Sequence, residues 1–214
     1  MDSCCNSSYQ NTFDHKRAQK ELKAYEQTGV KANSRPLMDL IRSVDLRDSS
    51  MLEIGGGIGS LIFESFKLGL QKARYVDISK AYSDTFITAL KEKGLTEKVD
   101  PRLGDFVELS ADIPQVDLVV LDKVICCYEN YEKLIQLSTS KSVKWYAITI
   151  PRDTWWVKMV HSFGNILRKL NKNPFQSFIH AHQDIFAVLE KEGFHIRKEK
   201  KRREWQSFLL ERTY

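Results

Sequence analysis

The chain has no run of about eighteen apolar residues, the length that would cross a bilayer as a helix. Residues 1–20 also lack the apolar stretch of a secretory signal, so a cytoplasmic location is the expectation. Proline and glycine are sparse, 5 and 10 among 214 residues, which excludes collagen-like repetition, and no internal repeat or low-complexity tract occurs. Cysteines number 4, in two adjacent pairs, Cys4-Cys5 and Cys126-Cys127. Neither pair has the C-x-x-C spacing of a zinc or thioredoxin-like site, and adjacent side chains in a regular element point apart, so no metal site is expected. What is present, 42% hydrophobic and 29% charged residues, describes a folded domain, and a chain of this length buries roughly 70% of the surface its unfolded form exposes.

Charge of one sign is scarce too. The net charge is +5, and the segment 197–203, Arg-Lys-Glu-Lys-Lys-Arg-Arg, carries the whole surplus. Lying between two strand-like stretches, it reads as a solvated hairpin turn, which disfavours a nucleic-acid partner.

Apolar periodicity alternates between strand and helix. Helices are predicted over 13–28, 36–44, 130–139 and 182–192, with two more following Gly59 and the capping Ser79. Strands are predicted over 51–54, 75–78, 99–103, 117–121, 143–150, 194–199 and 204–211. Helices regularly interleaved with strands imply a parallel sheet covered on both faces, and the terminal hairpin adds one antiparallel strand. The fold class is α/β.

Chemistry concentrates where the first strand meets the first sheet-covering helix, at Glu53-x-Gly55-x-Gly57-x-Gly59. Glycines there allow a ligand close to the backbone, and the helix start offers free N–H groups. The third glycine comes one residue too early for the dinucleotide G-x-G-x-x-G fingerprint, and the leading carboxylate would repel a pyrophosphate. Asp77 ends the second strand, where an acid can take both hydroxyls of a ribose. Asp105 follows the third, where a carboxylate can accept from an adenine amino group. Acids at three successive strand ends suit a positively charged adenosine derivative.

On these residues the chain resembles the class I S-adenosylmethionine-dependent methyltransferases. The matching residues are Leu52 to Gly59, Val76-Asp77, Gly104-Asp105-Phe106 and Leu121-Asp122, and the resemblance covers roughly residues 13–212. It implies a Rossmann-like seven-stranded sheet in the order 3-2-1-4-5-7-6, strand 7 antiparallel, with helices on both faces. It implies S-adenosylmethionine as cofactor and S-adenosylhomocysteine as product. The glycine turn would cradle the methionine part, Asp77 would hold the ribose, and Asp105 with the Phe106 backbone would hold the adenine. Asp122 and Tyr25 would add cofactor contacts. Residues 1–48 would form N-terminal lid helices, and 49–214 the methyltransferase domain with a cap insertion at about 151–180. The Asp/Asn-Pro-Pro-Tyr/Phe motif of amino-methylating DNA enzymes, the Pro-Cys nucleophile of cytosine C5 enzymes and the magnesium-binding acids of catechol-type enzymes are all missing. The arrangement looks like small-molecule O-methyltransferases, nearest to the ubiquinone-biosynthesis and magnesium-protoporphyrin groups. The expected reaction is methyl transfer to an oxygen of an apolar or aromatic small molecule. A cofactor-binding non-catalytic partner protein, or an enzyme acting on protein or nucleic acid, is the alternative.

Two segments fall on the acceptor side. The first contains Cys126, Cys127 and Tyr128. The second, 151–180, is long for an α/β connection and holds Trp155, Trp156, Phe163, Phe175 and Phe178. These aromatics read either as a small core of the cap itself or as the wall for a flat or greasy acceptor, and on the second reading Cys126, Cys127, Trp155 and Trp156 are the expected pocket walls. His180 is the best candidate for a proton acceptor, the alternative being a hydrogen-bonding role at a helix start, with Tyr128 as a second catalytic candidate, while His161, His182 and His195 have no motif behind them. Lys158, Arg168, Lys169 and Lys172 share the second segment with its aromatics, so a transient contact with a membrane surface is a further reading. A helix start near Cys126-Cys127 would lower a thiol pKa, and a closed lid would bring Cys4-Cys5 over them to share a metal or a disulfide.

Overall fold

The computed structural model describes residues 12–171, 173 and 175–213. Cys4, Cys5 and Lys172 lie outside the described residues, and with them the proposed meeting of the two cysteine pairs. The elements in chain order are α1 (His15–Thr28), α2 (Arg35–Ile41), β1 (Ser50–Ile54), α3 (Ser60–Lys67), β2 (Lys72–Asp77), α4 (Lys80–Glu92), β3 (Val99–Leu103) and α5 (Phe106–Leu109). They continue with β4 (Val116–Asp122), α6 (Tyr131–Thr139), β5 (Ser142–Pro151), α7 (Trp155–Leu170), α8 (His182–Lys191), β6 (Phe194–Arg202) and β7 (Trp205–Arg212).

The strands form one seven-stranded sheet, β3-β2-β1-β4-β5-β7-β6, with β7 antiparallel to both neighbours and the other pairings parallel. Successive side chains of a strand point to opposite faces, so a strand buried on both sides must be apolar throughout. In β4, Leu118 and Val120 join the core under α1–α4, whereas Val119 and Leu121 join the core under α6 and α8. The local signals also hold. Asp14 caps α1 by accepting from Arg17 N at 2.8 Å, and Gly29 ends it at φ 73°. Ser79 caps α4 by accepting from Tyr82 N.

Two expectations change. The second helix stops at Ile41 rather than residue 44, and Val44 packs on the core from the turn that follows. The basic run is not a turn: residues 197–202 belong to β6, the outer strand of the sheet, whose residues after Phe194 are exposed. Charged side chains on an unpaired edge discourage strand addition by another chain, which gives the run a structural reason. No helix among the described residues is long and apolar enough to cross a membrane.

Candidate functional site

The carboxyl ends of β1, β2 and β4, the glycine turn, α1 and α7 enclose a cavity of about 570 Å³. The turn is built by its neighbours as much as for a ligand. Gly55, Gly57 and Gly59 all have positive φ (63°, 56°, 72°). A Cβ on Gly59 would meet the Phe86 ring at 2.1 Å, and one on Gly55 would meet Val124 at 2.6 Å. Tyr75, stacked on Phe86, donates from its hydroxyl to the Gly57 carbonyl at 2.8 Å. The glycines therefore let two aromatic rings close under the loop, beyond the ligand approach inferred from sequence.

Asp77 fixes the loop from the other side. Its Oδ2 accepts from Gly57 N and its Oδ1 from Ser79 N, both at 2.8 Å. Each oxygen keeps capacity to accept one further hydrogen bond. Burial, only partly offset by these two donors, pushes the Asp77 carboxyl up to about 6. Glu53 is 3% exposed and its Oε2 has no hydrogen-bond partner. Burial first, then the charges of Asp122 and Asp77, hold its carboxyl well above the ordinary range. Asp122 Oδ2 accepts from Lys123 Nζ and, at 2.6 Å, from Ser34 Oγ, while its buried Oδ1 is unpartnered. Ser34 lies just before α2 and does not cap it; its hydroxyl instead ties the N-terminal segment to the end of β4. Three carboxyl groups thus line one cavity with orphaned acceptors among them, Glu53 held toward its protonated form and Asp122 paired with Lys123, while Arg17, Lys31 and Arg168 line the same cavity; a ligand that donates hydrogen bonds satisfies the open acceptors.

Asp105 caps α5, its Oδ1 accepting from Val107 N and from the Tyr128 hydroxyl, each at 2.8 Å. Gly104 and Phe106 line the cavity, whereas Asp105 itself, like Gly59 of the turn, lies outside its lining. Tyr128 is therefore engaged as a brace for Asp105. Tyr25 also lines the cavity, and its hydroxyl donates to Glu64 Oε1 at 3.0 Å. Burial, reinforced by the Glu64 charge, pushes that phenol up.

Cys126 and Cys127 occupy a single 3-10 turn and line the cavity. Both thiols donate to the Lys123 carbonyl, at 3.4 and 3.6 Å. Cys126 is shifted down chiefly by its hydrogen bond with Cys127, which is shifted up by the same contact. The expected helix-dipole effect is not the cause, because α6 starts only at Tyr131. Among the described residues no group of three metal-ligating side chains forms.

The acceptor side corrects the sequence reading most. Neither Trp155 nor Trp156 lines the cavity: Trp155 is 75% exposed on the outward face of α7, and Trp156 is half-buried away from the lining. His180 also lies outside the lining. Its Nε2 pairs with the Tyr128 carbonyl at 2.8 Å and its ring lies against Tyr131, so it joins two loops instead of facing a substrate. The histidine on the cavity is His161 of α7. Its Nδ1 is 3.0 Å from Ser177 Oγ, and burial shifts its pKa down, which keeps the ring neutral near pH 7. Arg168, Phe175 and Trp205 complete that wall. The spacing of His161, Gly164 and Arg168, at i, i+3 and i+7, was the available signal for one helix face.

No protein-family model and no curated protein matches the chain. Solved structures do. Magnesium protoporphyrin IX methyltransferase (ChlM) from Synechocystis PCC 6803 with bound SAH superposes with a TM-score of 0.71 at 16% identity, covering 95% of this chain and 98% of that one. An O-methyltransferase family protein from Burkholderia thailandensis gives 0.70 at 13%, covering 94% and 61%. A ribosomal protein L11 methylase from Lactobacillus delbrueckii subsp. bulgaricus gives 0.60 at 16%, covering 85% and 79%. With the strand order and the glycine turn, these similarities show that the chain has the class I S-adenosylmethionine-dependent methyltransferase fold.

Proposed function

We propose that the chain binds S-adenosylmethionine in the carboxylate-lined cavity and transfers its methyl group to an oxygen of an apolar or aromatic small molecule, leaving S-adenosylhomocysteine. The observation that carries this reading is the meeting of Glu53, Asp77 and Asp122 around one glycine turn with buried acceptors left over. The ammonium group of S-adenosylmethionine can donate to those open acceptors beside the Asp77 carboxylate, whereas a phosphate offers them no donor. The turn at Gly55–Gly59 would hold the methionine part, Asp77 the ribose, and Asp105 with Phe106 the adenine. The cofactor supplies an electrophilic methyl group. The protein's share is alignment and exclusion of water, for which effective molarities reach roughly 10⁵ M or more.

On the acceptor side, His161 replaces His180 as proton acceptor. In the tautomer that carries the proton on Nδ1, with Ser177 Oγ accepting it, Nε2 keeps the lone pair that takes the hydroxyl proton while the acceptor oxygen forms its bond to carbon. Residues 12–48 then act as a covering segment, since Phe13, Arg17, Glu21 and Tyr25 line the cavity from above. The small-molecule class is supported by an enclosed site with an aromatic wall and by the two O-methylating or porphyrin-methylating structural neighbours. The test is methyl transfer from labelled S-adenosylmethionine in an extract of cells lacking this protein. Protein-dependent label in the organic-soluble fraction supports the reading. Label confined to protein or RNA overturns the acceptor class, and binding without any turnover marks a non-catalytic partner.

A further inference from the structure

Among the described residues, most large apolar side chains left exposed belong to α7. Trp155 is 75% exposed, Met159 61%, Phe163 62%, Ile166 56% and Leu170 73%. Their spacing, i, i+4, i+8, i+11 and i+15, places them in one stripe along the helix. The opposite face holds Val157, fully buried, with His161, Gly164 and Arg168 on the cavity. A helix on a globular domain normally turns its apolar stripe inward; α7 turns it out. A stripe of this size on a surface marks something that covers it.

The charges beside the stripe indicate what does so. Lys158 and Lys169 flank it, three residues after Trp155 and Ile166. Arg152 and Arg203 stand at its amino-terminal root, where Arg152 Nη1 donates to the Arg203 carbonyl at 3.1 Å. Against these four cations stand Asp153, paired with Lys158, and Glu204, which accepts from Trp205 Nε1. A second copy docked about a two-fold axis would bring this basic rim against itself. Residues 1–11 carry only Met1 and Tyr9 as large apolar side chains, against the five of the stripe. An anionic bilayer surface satisfies both features at once, because the apolar stripe enters the acyl boundary while lysine and arginine meet headgroup phosphates.

We propose that α7 is an interfacial helix that docks this protein on anionic lipid, with the cavity behind it open to acceptors dissolved in the membrane. The docking stands on the surface alone; the statement about acceptors rests on the methyl-transfer reading.

The test is flotation of the full chain with vesicles of phosphatidylcholine alone, or with about 30% phosphatidylglycerol, at salt of about 0.1 and 0.5 M. The expected result is a bound fraction at least fivefold higher on the anionic vesicles and reduced at high salt. Phe163→Ser with Ile166→Ser should cut vesicle affinity about tenfold or more, since two buried side chains are lost, with thermal midpoint and S-adenosylmethionine affinity unchanged. In the unmodified chain, brominated lipid should quench tryptophan fluorescence, and Trp155→Phe should remove most of that quenching. Absence of flotation on anionic vesicles together with absence of quenching overturns the proposal. So does a wild-type dimer that the double variant dissociates, which would assign the stripe to a second copy. Vesicle binding without S-adenosylmethionine binding leaves the docking intact and removes the methyl-transfer reading; the reverse result removes the docking alone.

Discussion

Lowering the pH from 7.5 to 5 should weaken S-adenosylmethionine binding about tenfold, through Asp77. Its carboxyl is buried beside the glycine turn and is pushed up to about 6 in the free protein. A bound cofactor needs the ionised form, both to accept from the ribose and to balance positive charge. At pH 5 the group is about 90% protonated, and ionising it costs about 1.4 kcal/mol for the one unit below its pKa, which is the tenfold loss. Glu53, raised for the same reason and by its carboxylate neighbours, acts in the same direction. Calorimetry at pH 5, 6 and 7.5 in buffers of different ionisation enthalpy should show proton release on binding that is largest at pH 5, about half as large at pH 6 and nearly absent at pH 7.5. The Asp77→Asn variant should bind more weakly at pH 7.5 and lose most of this pH dependence. The folded-state pKa lies above the unfolded value near 3.8, so the unliganded protein binds more protons than its unfolded chain between them. This group's contribution to stability, about 3 kcal/mol, is present below pH 4 and is lost as the pH rises through 6. Affinity that is flat across the range, or tighter at pH 5, refutes the argument.

Gly59→Ala should destabilise the unliganded fold by about 2–5 kcal/mol in chemical denaturation, from a left-handed backbone position and an overpacked Phe86 contact. An unchanged midpoint would mean that the turn relaxes freely. His161→Ala should lower kcat at saturating cofactor and flatten the acidic limb of the rate profile, whereas His180→Ala should act on thermal stability first; the reverse ranking restores His180 as the proton acceptor. Hydrogen exchange across α1 should slow when S-adenosylhomocysteine binds, because Phe13, Arg17 and Tyr25 lie over the cavity, and equal rates with and without ligand count against a lid.

The glycine turn and the acids at the strand ends, the part of the cavity proposed for the cofactor, were legible because each has a local signature. Glycines at Gly55, Gly57 and Gly59 mark left-handed backbone that other residues adopt only at a cost, and Asp77 and Asp105 sit at strand ends that hydrophobic runs announce. What the sequence did not show is that Asp77 and Tyr128 spend hydrogen bonds inside the protein, on Gly57, Ser79 and Asp105, before any ligand arrives. Those contacts join residues distant in sequence, and no spacing encodes them. The acceptor half misled for a specific physical reason. Reading apolar residues as inward is sound for most helices, and it placed Trp155 and Trp156 on the cavity. Helix α7 reverses the rule, so its small and polar face, His161, Gly164 and Arg168, lines the site. The basic run was misread similarly: on the edge strand β6 charge replaces the apolar alternation that identifies an inner strand.

The most direct test of the central claim is a crystal structure with S-adenosylhomocysteine soaked into the full chain, supported by its dissociation constant. The account predicts the homocysteine part over Gly55–Gly59, both ribose hydroxyls within about 3.2 Å of the Asp77 carboxylate, and the adenine between Phe106 and the Asp105 side. A ligand bound elsewhere, or a chain that binds neither S-adenosylmethionine nor S-adenosylhomocysteine at millimolar concentration, would contradict it.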